Sequence, residues 1–148
     1  MGVSLVADAP LADFIQPFLA TYHRHGRPAT HTPSDLHVLK RTFPDTITFP
    51  VAYLNGEPVA SACFFELNRR SVLSFYLAQT EKGKSSQALT LLLVQALAFL
   101  RAQRYLWLDL GTVTDELQAR DGVFRFKEGF GAVGLFRNVL EWDIDGNE

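Results

Sequence analysis

Leu11, Phe14, Ile15, Phe18, Leu19 and Tyr22 recur at helical spacing and form one apolar stripe. Pro17 falls inside the stripe, so the helix either kinks there or begins there. Gly26 and Pro28 end it. A second helix opens on Thr32, Pro33 and Asp35, a Thr-x-x-Asp capping pattern with proline at the first helical position. Leu36, Leu39 and Phe43 give it an apolar face, and Pro44 stops it. The pattern then changes. Residues 46–54 are rich in β-branched and aromatic side chains and predict a strand, and Asn55-Gly56 predicts a two-residue hairpin turn. Residues 58–67 make the return strand, 68–70 a second turn, and 71–78 a third strand. A polar loop over 79–86 leads to the longest helix, about 87–103, with Ser85 or Ser86 as its cap. Tyr105 to Leu110 reads as a short strand, so a strand, a long helix and a strand predict one parallel crossover. Asp121 caps a short helix that carries Phe124 and Phe126, Gly129 and Gly131 end it, and 134–144 reads as a last strand. The predicted class is α+β: a mixed, mostly antiparallel sheet with one strand-helix-strand crossover and helices on both faces.

No repeat or low-complexity tract interrupts the 148 residues, and a single domain over 1–148 is expected. With 47% hydrophobic and 20% charged residues the composition is that of a globular domain. A net charge of -2 offers no basic face for phosphates, which excludes sequence-independent nucleic-acid binding and a polybasic membrane anchor. The first ten residues lack a basic start and a long apolar stretch, and the apolar block 88–100 is shorter than the roughly 20 residues of a membrane span. A cytoplasmic location without membrane insertion is expected. The one cysteine, Cys63, leaves no internal disulfide and no multi-cysteine metal site, and its place in an apolar strand predicts a core residue.

Gly129 to Gly134 spells G-x-G-x-x-G, but a helix precedes it and only 14 residues follow, so it is read as a helix stop and turn. Four histidines fall between positions 23 and 37 without a completing carboxylate cluster, and no metal is expected. Of these, His31 stands at a turn before a helix cap, where an imidazole could contact substrate. The segment Thr80 to Ser86 carries Lys82, Gly83 and Lys84 just before the longest helix, where free N–H groups suit a pyrophosphate. Asp109, at a strand end beside Gly111, could serve as a base or substrate anchor, and Tyr76 could donate a proton to a leaving group. Lys127 on the last short helix is a further candidate contact.

The order strand, polar loop, long helix and strand ending Asp109-Leu110-Gly111, followed by Gly122 and Phe126-Lys127-Glu128-Gly129-Phe130-Gly131, resembles the Gcn5-related N-acetyltransferase (GNAT) superfamily. It is most similar to the Fem-type branch, which includes peptidoglycan-bridge aminoacyl transferases and single-chain acyltransferases. Arg27 to His31 and Phe43 to Asp45 add a second stretch, and the resemblance spans roughly residues 11 to 142. It implies transfer of an acyl group, most often acetyl from acetyl-CoA, to an amine of a small molecule or an envelope or saccharide precursor. It also implies Asp109 and Tyr76 as catalytic groups and His31 and Lys127 as substrate contacts. Coenzyme A would lie along Leu77, Gln79, Lys82, Gly83, Lys84, Ser85, Ser86 and Gln87. Glu81 to Ser86 has one glycine and no arginine, unlike the usual Q/R-x-x-G-x-G/A loop. Two alternatives stand beside this reading: aminoacyl transfer from charged tRNA, and a catalytically silent domain that binds a ligand or partner. The Fem branch often uses two such units, and the 12 phenylalanines exceed what one small core readily encloses, so a homodimer is expected.

Overall fold

The computed structural model describes residues 2–26, 28–115, 118–136, 138, 140 and 142. They fall into two compact units, Met1–Gly111 and Thr112–Glu148.

In the first unit, β1 (Val3–Val6) leads into α1 (Leu11–His25). The helix starts at Leu11 and carries Pro17 in its interior, which removes one donor from the helical ladder. Pro17 is instead a buried core residue, and in the same turn the Ser61 hydroxyl donates to the Phe14 carbonyl at 3.0 Å. The left-handed Gly26 (φ 62°) closes the helix. The helix α2 (Pro33–Thr42) has the capping box the sequence predicts: the Asp35 N–H donates to Thr32 Oγ1 at 3.2 Å, and the Thr32 N–H returns a bond to Asp35 at 2.8 Å.

The predicted strand 46–54 is two strands, β2 (Ile47–Thr48) and β3 (Val51–Leu54). Pro50 has no N–H to give a ladder, and the Asp8 carboxylate captures the Phe49 N–H at 2.9 Å. Asn55 (φ 53°) and Gly56 (φ 83°) turn β3 into β4 (Glu57–Asn68), the two positive φ angles expected of an Asn-Gly turn. The strand β5 (Ser71–Gln79) follows, then α3 (Glu81–Ser85), α4 (Ala88–Ala102) and β6 (Trp107–Asp109). The sheet order is β1-β3-β4-β5-β6, with β2 also on β4, and every pair is antiparallel except β5 with β6.

Pro58 to Phe64 of β4 are buried without interruption, because helices cover this strand on both faces. Ser61, Cys63 and Phe65 face α1 and α2, while Phe64 faces α4. The α1 side holds the main aromatic core: the rings of Phe14 and Phe49 are 4.6 Å apart and those of Phe14 and Phe18 are 5.3 Å apart. Burying two or three such rings contributes on the order of 5 kcal/mol before entropy is counted.

In the second unit, β7 (Thr114–Asp115) and β8 (Gln118–Ala119) form a short ribbon ahead of α5 (Asp121–Glu128). Asp121 is the first residue of α5 rather than its cap, which is Arg120. Gly129 caps the far end and Gly131 follows with φ 80°. The predicted last strand, 134–144, falls partly outside the described residues, and its described members form no strand. Among the described residues no helix is long and apolar enough to cross a membrane, and no group of three metal-ligating side chains occurs.

Candidate functional site

Two irregularities of β5 coincide. Its parallel pairing with β6 covers only Ser71 to Leu73 opposite Trp107 to Asp109. Beyond Leu73, β5 runs on for six residues against β4 alone, so the sheet opens between β5 and β6. At the same place Cys63 pairs with Tyr76 but Phe64 pairs with Ser74, leaving Phe75 as an extra residue on β5. Such a bulge bends its strand and breaks the alternation of side chains. Phe75 and Tyr76 therefore both turn towards the α1–α2 side, where each meets His31.

The Tyr76 hydroxyl lies 2.7 Å from His31 Nδ1, across 45 residues of sequence. The Tyr76 ring packs edge-on against Phe18 at 5.0 Å and Tyr22 at 6.2 Å. Burial among these rings pushes the phenol up to about 12, against smaller opposing effects of its bonds to Thr30 and His31. At neutral pH Tyr76 is thus a proton donor and not a base. Asp109 takes the register position beside Leu73, so both project to the same face, three residues or roughly 10 Å along the strand from Tyr76. Its carboxylate accepts the Gly111 N–H at 2.7 Å. The structure thus brings His31 and Tyr76 into contact and sets Asp109 farther down the same face. Lys127 belongs to the second unit, where its ammonium donates to the Thr112 carbonyl at 2.6 Å.

The segment read as an open loop is wound. Thr80 caps α3, its hydroxyl accepting from the Gly83 N–H at 3.1 Å, and the N–H groups of Lys84, Ser86 and Gln87 donate to Thr80, Lys82 and Lys84 carbonyls. Ser85 and Ser86 do not cap α4; their hydroxyls donate back to carbonyls of α3. The cap of α4 is Gln87, in the left-handed region at φ 56°. The Leu91 N–H returns to the Gln87 carbonyl, so the first-turn donors of α4 are those of Ala88, Leu89 and Thr90. Gly83 is required for packing: a Cβ there would overlap the Val59 carbonyl oxygen. Lys82 is paired with Glu57 at 2.6 Å, whereas Lys84 has no ion pair among the described residues.

At the end of β5 the Thr21 hydroxyl accepts the Gln79 N–H at 2.9 Å, and Thr21 and Arg24 both donate to the Gln79 carbonyl. Gln79 is therefore spent on holding α1. By the two-residue period of the backbone, the Leu77 N–H points to the same open edge. Ser74 stands just past the last β5–β6 pair, and its buried hydroxyl has no hydrogen-bond partner among the described residues. Ser74 and Thr21 were not predicted as site residues; only the fold brings them to this edge. The remaining histidines are dispersed, His23 and His25 at the end of α1 and His37 on α2. Cys63 is buried, which pushes its thiol up to about 12 and leaves it unreactive, as a core cysteine should be.

No protein-family model matches the chain, and no curated protein matches it in sequence. Solved structures do match. An aminoglycoside acetyltransferase from an uncultured soil metagenomic sample, in complex with sisomicin, superposes with a TM-score of 0.70 at 14% identity, over 96% of this chain and 94% of that one. Ard1 from Thermoplasma volcanium gives a TM-score of 0.66 at 18% identity, over 90% of this chain and 84% of that one. An acetyltransferase of Trypanosoma brucei gives 0.63 at 14% identity, over 97% of this chain and all of that one. At these identities the likeness speaks to architecture, and in architecture this chain has the fold of the GNAT acetyltransferases.

Proposed function

We propose that the chain is an N-acyltransferase that moves an acyl group, first of all acetyl, from acyl-CoA to the amine of a small molecule. The observation that carries this reading is the coincidence of the β5–β6 opening with the bulge at Phe75, beside the His31–Tyr76 pair. A thioester lying in the opening would meet the Leu77 N–H, which stabilises the oxyanion that forms as the amine attacks. The attacking amine is neutral; as its C–N bond forms and the C–S bond breaks, its surplus proton passes to water in the opening. The leaving thiolate takes the hydroxyl proton of Tyr76. His31, carrying a proton on Nδ1, gives it to the phenol oxygen as Nε2 takes one up from solvent, so that Tyr76 is restored and the imidazole stays neutral. Asp109 serves in this reading as the anchor of the acceptor's ammonium. Lys84 and the first turn of α4 would receive the pyrophosphate.

Acceptors to try first are small polyamines and aminoglycosides, because a neighbour in fold was crystallised with sisomicin. Envelope or saccharide precursors, the Fem-type branch and aminoacyl transfer from charged tRNA rest on the resemblance carried by Asp109 to Gly111, Gly122, Phe126 to Gly131 and residues 25–45, and a net charge of -2 weighs against the tRNA reading. A cytoplasmic location and a homodimer complete the proposal. The second reading, a silent ligand-binding domain, draws on α3, whose Gly83 and Lys84 N–H groups are already engaged within the chain.

Thermal melting with acetyl-CoA separates the two. A ligand at 100 times its Kd stabilises by about 2.7 kcal/mol. A raised melting temperature, together with thiol release in the presence of an amine, supports the transferase. A raised temperature without transfer to any amine supports the silent domain. No shift at millimolar acetyl-CoA rejects the acyl-CoA reading.

A further inference from the structure

The sheet has a second concave feature on the face opposite His31 and Tyr76. Phe64 and Val72 alternate with Phe65 and Leu73, so they project away from the α1–α2 side. With Leu92, Ala96 and Phe99 of α4 they wall a cavity of about 540 Å3. That volume lies within the range of small-molecule pockets, roughly 300 to 1,000 Å3. Every residue of this cavity belongs to the first unit.

Its chemistry is one-sided. The body of the cavity is apolar, three carboxylates line it (Asp8, Asp45 and Glu66), and no lysine, arginine or histidine does among the described residues. Asp8 is already neutralised, accepting from Lys40 Nζ at 2.8 Å and from the Phe49 N–H. Glu66 accepts a hydrogen bond from the Tyr105 hydroxyl. Asp45 makes no ion pair among the described residues and is exposed to solvent. A ligand that fills the apolar body without a positive group would leave this pair uncompensated, and an anionic ligand would be repelled by it.

We propose that this cavity is a second binding site, for an apolar molecule that carries a single cationic group, its body against Phe64, Leu92 and Phe99 and its cation between Asp45 and Glu66. The site is distinct from the His31–Tyr76 pair, which lies on the other face of the sheet.

Three probes with the same body test it on the full chain: 3-phenylpropyl-trimethylammonium, 3-phenylpropanol and 3-phenylpropionate. The quaternary ammonium cannot be acylated, so its binding reports on this cavity and not on catalysis. Binding is read by calorimetry and by the methyl signals of Leu92 and Ala96. The expected result is that the ammonium binds about tenfold or more tighter than the alcohol, with the carboxylate weakest. Asp45→Asn with Glu66→Gln should remove the advantage of the cation while leaving the alcohol unchanged, and Ala96→Phe should abolish binding of all three. The charge variant sits at the rim and keeps the test decisive if Ala96→Phe fails to fold. Equal affinities, shifts at His31 and Tyr76 instead of the α4 methyls, or no methyl shift at millimolar probe would each overturn the proposal.

Discussion

His31 and Tyr76 carry the strongest chemical signal at the level of single residues, and the sequence marks each one separately without joining them. Their contact depends on the bulge at Phe75, which no local propensity announces, since Ser-Phe-Tyr reads as regular strand. If Tyr76 protonates the thiolate, Tyr76→Phe should lower kcat by about a hundredfold and leave the Kd of acetyl-CoA unchanged. Burial holds the phenol near 12, so Tyr76 stays protonated through the neutral range and contributes no alkaline limb to the pH–rate profile there. An unchanged kcat in stopped-flow thiol release removes Tyr76 from the mechanism. Gly83 is the opposite case, a glycine that packing requires. It suggested room for a phosphate, yet the close neighbour is the Val59 carbonyl. Gly83→Ala should destabilise the fold by about 1–3 kcal/mol through overpacking, seen as a lower urea midpoint. An unaltered midpoint with weakened coenzyme binding would restore the phosphate reading.

Elements were legible where capping and turn chemistry are local. Thr32, Pro33 and Asp35 start α2 as their spacing requires, and Asn55-Gly56 makes the turn between β3 and β4. The short strand β1 was not seen as one, because Val3 to Val6 has a pairing partner only once β3 is in place. The helix α3 escaped notice for a related reason: five polar residues have no apolar period, and the Thr80 cap and the Val59 contact hold them. The capping box supports a prediction with a definite sign. Bonds from the Thr32 hydroxyl and then the Thr32 N–H hold the Asp35 carboxyl below its usual range. A carboxylate with a depressed folded pKa contributes stability that is present above its unfolded pKa and is lost as pH falls through the folded value. Thr32→Ala should therefore lower stability at neutral pH and flatten part of the acid limb of stability. Urea melts at neutral and acid pH check this, and a loss of equal size at both would show that the cap acts without the Asp35 charge.

For the molecule as a whole, the three-strand meander and the parallel crossover follow from the sequence pattern, and the 12 phenylalanines do exceed one core, since Phe43, Phe99 and Phe124 are exposed, but the surplus lies elsewhere than expected. Phe14, Phe18, Phe49 and Phe64 are buried within one chain, and Phe65 is half-buried against Phe75, their rings stacked at 4.5 Å. The phenylalanine count therefore gives no reason for a partner at the early strands. The long helix does. Leu89, Leu92, Leu93 and Leu100 bury one face of α4 against the sheet, but Val94 and Leu97 on its other side remain 48% and 36% exposed. A helix apolar on nearly every side is usually covered on every side. Two-fold association is the commonest way for a soluble chain to cover such a face with its own copy. The homodimer is accordingly expected to pair through α4 and not through the strands around Phe49. Sedimentation equilibrium at micromolar loading should give twice the monomer mass, and Val94→Glu with Leu97→Glu should halve it while leaving the circular dichroism of the sheet intact. A monomer mass at every loading rejects the dimer, and a dimer indifferent to both substitutions places the interface elsewhere on the molecule.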